Sequence, residues 1–381
     1  MRPDSVPPLA AAARRLHAPL LVALALIGAF AIPTGESRAQ AAKPAPAALA
    51  PAEGWLAIDA GKLLSRIGFG SCLDQKFPQP IWKTVIAERP ELFLMTGDNV
   101  YGDIKSPDLR ELREAYELQA RQSEFAEARG AVAMLPAWDD HDYGLNDGGG
   151  SFVHREASER LFRDFWKLED GQAGRGVYYS RILGPAGRRV QVLVLDTRSF
   201  RSELRRKGEQ FPFWGRYEPD HTPGKTMLGE AQWQWLAGEL RKPAEIRILV
   251  SSVQVLAEGH GFERWGNLPR ERQRLIDLIG TTGANGVVIV SGDRHASAMY
   301  KIDGPLRYPL YEVTSSSLNR SYGPSKDERL PPLISGIYHP ENFGMILIDW
   351  DKGKLKLQLK GMDGVVVTSQ VVAFKDLGIG G

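Results

Sequence analysis

Glu91-Leu-Phe-Leu-Met-Thr96 runs straight into Gly97-Asp-Asn-Val-Tyr101, and the reading of that junction decides the fold. A short apolar run bounded by Arg89-Pro90 and by a glycine turn reads as a strand buried on both faces. The same grammar recurs outward from it. Arg66-Ile-Gly-Phe-Gly-Ser71 precedes Cys72, and Ala131-Val-Ala-Met-Leu135 precedes Pro136-Ala-Trp-Asp-Asp-His141. Arg189 to Leu195 ends on Asp196-Thr-Arg198, Ile246 to Ser251 is another strand, and Gly286 to Ser291 ends on Gly292-Asp-Arg-His295. Between them, Pro80–Glu88, Pro107–Ser123, Glu156–Trp166, Gly229–Leu240 and Pro269–Ile279 read as helices. From Gly344 the pattern alternates around Asp351-Lys-Gly353 and again after Met362-Asp-Gly364, which predicts a C-terminal β-meander. Strand alternating with helix predicts an α/β fold. With no internal repeat and no clean second boundary, residues 54–381 read as one catalytic domain.

The N-terminus reads differently. Arg14 and Arg15 precede an apolar stretch from Pro19 to Ile32, and Ala39-Gln40-Ala41 offers small residues for cleavage. Residues 1–41 therefore read as a signal peptide, with an uncleaved anchor as the alternative and the Sec or twin-arginine route open. The apolar stretch is short for a membrane span, and no later segment is long and apolar enough for one. The protein is expected to be periplasmic or secreted, without a stable membrane anchor. Residues 42–53 are an Ala/Pro-rich linker. Arg2, Arg14, Arg15 and Arg38 against Asp4 and Glu36 account for the whole chain's formal charge of +2, so the remainder is neutral. A neutral body gives no global argument for nucleic-acid binding. Composition, 43% hydrophobic and 25% charged, excludes a fibrous or disordered chain. Nothing in the sequence fixes the oligomeric state.

Cys72 is the only cysteine, so it has no intrachain disulfide partner. It is either a small buried residue or a metal ligand. Cys72, Asp98 with Tyr101, Asp140 with His141, Asp196, and Asp293 with His295 all follow strands, whose carboxyl ends converge on one crevice in α/β sheets. A single Asp there could cap a helix or form a turn. Thiolate, phenolate, imidazole and carboxylate together point instead to metal. A thiolate and a phenolate suit Fe³⁺, whereas a second set of oxygen donors suits Ca²⁺ or another hard divalent ion. Two metals a few ångströms apart clamp a phosphate and supply hydroxide for in-line attack, with Asp98 as the natural bridging carboxylate. His141 suits the role of proton donor to the leaving oxygen.

These motifs resemble those of the calcineurin-like metallophosphoesterases. Gly97-Asp-Asn-Val-Tyr101 matches their Gly-Asp-x-x-Tyr. Trp138-Asp-Asp-His-Asp142, Gly292-Asp-Arg-His295 and Phe69-Gly-Ser-Cys72 stand in the places of their other metal motifs. That combination, with Leu195-Asp-Thr-Arg198, Val250-Ser-Ser-Val-Gln254 and Glu312-Val-Thr-Ser-Ser316, is similar to the alkaline phosphatase D (PhoD-like) family over residues 66–370. The resemblance implies a four-layer αββα fold, a two-sheet mixed β-sandwich flanked by helices. It implies an iron set of Cys72, Asp98, Tyr101 and His295. Asp98 would bridge to a calcium-type set completed by Asp140 or Asn146 and by Asp293. The implied activity is hydrolysis of phosphomonoesters and phosphodiesters, with small-molecule or lipid phosphoesters as substrates.

Arg198, just past a strand end, is the expected phosphate clamp, or else a solvated loop arginine. His260 and Trp265 read as substrate-binding residues or as packing. The run Arg201, Arg205, Arg206 and Lys207 attracts anions or simply faces solvent. Gln210-Phe-Pro-Phe-Trp-Gly-Arg-Tyr217 is a lid or a packed loop. An apolar rim from Phe211, Phe213 and Trp214 would favour a phospholipase. A non-catalytic metal- or phosphate-binding protein is the remaining alternative.

Overall fold

The continuous apolar runs become the innermost strands. The computed structural model describes residues 54–168, 174–323, 328 and 330–380, all within one unit, Pro46–Gly381. The expected signal peptide and linker lie outside the described residues. In chain order the elements are β1 (Arg66–Gly70), α1 (Ile81–Ala87), β2 (Leu92–Thr96), α2 (Arg110–Arg121), α3 (Ser123–Ala131), β3 (Ala133–Ala137), α4 (Asp140–Tyr143) and α5 (Arg155–Trp166). There follow β4 (Tyr179–Leu183), β5 (Val190–Val194), α6 (Gly229–Leu240), β6 (Ile246–Val250), α7 (Pro269–Thr282) and β7 (Val287–Ser291). The last are β8 (Ala298–Ile302), β9 (Leu310–Thr314), β10 (Asn342–Asp349), β11 (Lys354–Gly361) and β12 (Val366–Ala373).

The strands form two six-stranded mixed sheets, β12-β11-β10-β1-β2-β3 and β4-β5-β6-β7-β9-β8, with helices flanking them. β1, β2 and β3 run parallel, as do β5, β6, β7 and β9. β2, β5, β6 and β7 are buried at every residue, which is why they read as unbroken apolar runs rather than alternating ones. The meander β10-β11-β12 is antiparallel, as its alternation predicts. Beyond the strand ends the sheets meet: Ser71 bridges Ser316, and Leu318 N–H donates to the Ser71 carbonyl at 2.8 Å. That junction sets the loops after β1, β2, β3, β7 and β9 around one crevice.

Some boundaries differ from the expected ones. β3 extends through Pro136, which is tolerated because β3 is the sheet edge. The long helix expected from Pro107 to Ser123 is shorter. Leu109 at φ 60° delays its start, and extended Gln122 separates it from α3. Among the described residues, no helix is long and apolar enough to cross a membrane.

Candidate metal centre

Each strand end delivers its donors through an abrupt turn. Cys72, Asp98, Asp293 and His295 all have φ between 51° and 67°, the left-handed region that non-glycine residues rarely occupy. Such backbone costs on the order of 1–3 kcal/mol per residue, and it persists where surrounding structure imposes it. Gly97, at φ 110°, has no alternative, since a Cβ there would lie 2.6 Å from the Cβ of Asp139. The glycine lets the β2 and β3 loops close on each other.

Asp98 sits at the middle of the donors. Its Oδ2 lies 3.5 Å from Cys72 Sγ and 3.2 Å from Tyr101 Oη, and its Oδ1 faces the His141 backbone N–H at 3.4 Å. Tyr101 Oη is 3.4 Å from His295 Nε2. The Nδ1 of His295 contacts the Arg320 carbonyl. A carbonyl only accepts, so that nitrogen carries the proton and Nε2 keeps its lone pair for the site. His141 bonds Asp103 through Nδ1 at 2.9 Å, which leaves Nε2 for a substrate. Within 4.8 Å of one another lie donor atoms of Cys72, Asp98 and His295; of Asp98, Asp140 and His141; of Asp139, Asp140 and Asp293; and of Asp140, Asp147 and Glu263.

So many buried acids disturb one another. Burial first, and then Asp140, pushes the Asp98 carboxyl far above the ordinary aspartate range. Burial and then Asp139 do the same to Asp293. Burial and Asp98 push the Cys72 thiol and the Tyr101 phenol up. Burial pulls His295 down to about 4. Burial also opposes charge on His141, but Asp140, Asp98 and Asp103 outweigh it and push its pKa up to about 11. Asp140 is held below the ordinary range against burial by His141, Arg198 and the Asp147 N–H, which donates at 2.7 Å. Asp139 Oδ2 and Asp140 Oδ1 are buried without a hydrogen-bond partner. Two orphaned carboxylate oxygens among crowded buried acids have a cation as their natural partner. The donor chemistry therefore fits metal, with a thiol, a phenol and an imidazole at Cys72, Tyr101 and His295 and carboxylate oxygens on the other side of Asp98.

A cavity of about 330 Å³ opens on this centre. Asp98, Asp140, His141, Asp293 and His295 line its floor, and Trp214, Phe262 and Tyr322 line its walls. Arg294 and Arg216 line it as well. Arg216 pairs with Asp147 at 2.8 Å, and the Arg294 guanidinium lies 4.5 Å from the Phe262 ring centroid.

The family model of PhoD-like phosphatases matches residues 67–330. The chain belongs to that family. Alkaline phosphatase D of Bacillus subtilis (strain 168) is 24% identical over 260 residues, which cover 57% of this chain and 43% of that protein. The chain thus spans less than half the length of this relative. A solved structure of PhoD superposes with a TM-score of 0.63 at 18% identity, covering 82% of this chain and 69% of its own. GAP50, the anchor in the inner membrane complex of Plasmodium, gives 0.52 at 12% identity, covering 82% and 89% respectively. At those identities the two structures show the shared fold alone.

The expected PhoD-like iron set, Cys72, Asp98, Tyr101 and His295, is brought together. Asp140 and Asp293 join it on the other side of Asp98, while Asn146 lies exposed on the cavity rim. Three expectations need correction. Arg198 is not a clamp open to the cavity. It is fully buried, with Nε on Asp139 at 2.6 Å and Nη1 on Glu263 at 2.6 Å, because two buried carboxylates need its charge. His260 is also buried: Nε2 meets Gln254 Oε1 at 3.0 Å, and Nδ1 accepts from Phe262 N–H, so it shapes the loop from behind. Trp265 is buried with its indole N–H on Ser251 Oγ, away from the cavity. Phe211 and Phe213 pack on each other, and only Trp214 of that expected rim reaches the cavity. The sequence reading missed Asp139, Asp147, Glu263, Arg216 and Arg294. The doubled Asp139-Asp140 was a usable signal; a lone Glu263 between Phe262 and Arg264 was not.

Proposed function

We propose that this chain is an exported, metal-dependent phosphoester hydrolase. The observation that carries the reading is the placement of Asp98, with one oxygen toward the Cys72–Tyr101–His295 donors and the other toward the Asp140–His141 side. Cys72, Tyr101, His295 and Asp98 would hold Fe³⁺. Asp98, Asp139, Asp140 and Asp293 would hold Ca²⁺ or a similar ion. Bound cations would lower the pKa of a water and neutralise charge on the phosphoryl oxygens.

The protein's own residues do the rest. Arg294 takes over the phosphate contact assigned above to Arg198, because it lines the cavity and its guanidinium lies over the Phe262 ring of the cavity wall. His141, oriented by Asp103, donates its Nε2 proton to the leaving oxygen. Phe262 and Trp214, 4.9 Å apart edge to face, wall off water on one side.

Elemental analysis and turnover of metal-replete protein on p-nitrophenyl phosphate and its bis-ester test the reading. Iron with a divalent ion, and turnover on either ester, are expected. Metal-replete protein without turnover would leave the non-catalytic binding reading in its place. Two substitutions refine the roles. His141→Gln should cut turnover of an alkyl phosphate by about 10²–10⁴. The loss on p-nitrophenyl phosphate should be much smaller, since its leaving group needs little protonation. Equal losses would remove His141 as the acid. Arg294→Met should raise KM for a monoester on the order of tenfold or more, the scale of a charge-assisted hydrogen bond; an unchanged KM would return the clamp to another residue.

A phospholipase reading draws on the half-exposed Trp214 and Tyr322 at the cavity mouth, 46% and 55% exposed. It requires faster turnover on phosphatidylcholine vesicles than on the soluble headgroup ester.

A further inference from the structure

Asn319 and Arg320 lie in none of the motifs above, yet they touch all three elements that carry Cys72, Tyr101 and His295. The Asn319 N–H faces the Cys72 carbonyl at 3.4 Å. Asn319 Oδ1 accepts from Asp74 N–H at 2.7 Å, and its Nδ2 donates to the Asp74 carbonyl at 2.9 Å. Arg320 forms an ion pair with Asp74, which is 1% exposed. The same guanidinium lies 4.0 Å from the Tyr101 ring centroid. The Arg320 carbonyl accepts the Nδ1 proton of His295. Ligands from the ends of β1, β2 and β7 are thereby tied to one dipeptide.

We propose that Arg320 is a positioning residue that assembles the Cys72–Tyr101–His295 donor set and is specific to that set. The proposal rests on the metal-holding reading of the centre. Its backbone fixes which nitrogen of His295 is the donor. Its side chain stacks on the Tyr101 ring and draws in the Cys72 loop through Asp74. Outer partners of this kind govern metal affinity by about 10–100-fold. Lysine keeps the charge but lacks the planar group that stacks on an aromatic ring. Among the described residues Arg320 is joined to Asp74, Tyr101 and His295 and by no hydrogen bond or ion pair to Asp139 or Asp293, so the carboxylate set should depend on it far less.

The test is a chelator titration of metal-loaded wild type, Arg320→Met and Arg320→Lys, with retained iron and calcium measured separately by elemental analysis. Arg320→Met should release iron at about 10–100-fold lower chelator concentration, with calcium retention unchanged, and Arg320→Lys should fall between. A positive charge over the ring lowers the energy of its electrons. A phenolate-to-iron absorption band should therefore move to longer wavelength in Arg320→Met. Iron retention equal to wild type in folded Arg320→Met overturns the proposal, as does equal loss of both metals. If Arg320→Met does not fold, Arg320→Lys decides by the same criterion. Wild type that binds metal yet hydrolyses nothing would sink the hydrolase reading and leave this one standing.

Discussion

Asp98→Asn should lose turnover by on the order of a thousandfold, equivalent to about 4 kcal/mol of transition-state stabilisation. It should also fail to hold both metals. The metal-free variant should nevertheless melt higher than metal-free wild type. Asp98 is buried beside Asp140, and its folded carboxyl ionises only well above the usual 3.8. An acid with a raised folded pKa stabilises fully below its unfolded value, and that contribution is lost as pH rises. The advantage of the variant should therefore be absent near pH 3 and should widen upward through neutrality. Asp142 and Glu263, both pushed up to about 7 chiefly by burial, add to the same decline in both proteins. His295, depressed to about 4, works in the opposite sense between its folded value and its ordinary 6.5. Calorimetry of chelated protein across pH 4–8 checks the sign. A metal-free wild type that melts above Asp98→Asn at pH 8 would contradict it.

Arg198→Met should destabilise the fold by about 3–5 kcal/mol, the scale seen when one member of a buried ion pair is removed. Arg198 is fully buried between Asp139 and Glu263, and Arg201 reaches Glu263 at 3.0 Å from the other side. Without Arg198, Asp139 keeps only Ser252 Oγ, at 2.7 Å, as a side-chain donor, and two acids stay in the interior beside the Asp140 cluster. Denaturant unfolding of metal-free protein measures the loss. A variant of unchanged stability with a raised KM would restore Arg198 as the phosphate clamp.

The site was more legible than its surroundings. Cys72, Asp98, Asp140, Asp293 and His295 each follow a strand whose apolar run announces itself, so their convergence could be argued from chain order. Tyr101 followed from its spacing to Asp98. Arg198 misled for a physical reason: a guanidinium after a strand end suits a phosphate and a buried carboxylate equally well, and only packing separates them. β9 escaped notice because Glu312 sits in its middle. There the charge is buried and accepts from Val255 N–H at 2.9 Å, Leu256 N–H and Ser291 Oγ at 2.6 Å. β4 and β8 are short edge strands without a strong pattern. Glu263, Arg294 and Arg320 come to the centre from loops whose paths no local periodicity encodes.

The bridge between Ser71 and Ser316, where the ends of the two sheets touch, has one more consequence. Cys72 and His295 lie on opposite sides of that seam and far apart along the chain. An ion held by both would act as a covalent cross-link does, closing a loop of on the order of 200 residues. In the chain-entropy picture, such a closure restricts the unfolded state by about 5 kcal/mol. A chain with one cysteine cannot staple itself with sulfur alone. A bound metal would serve as the clasp that a disulfide provides in other chains, so starvation for that metal should lower the amount of intact protein as well as its activity.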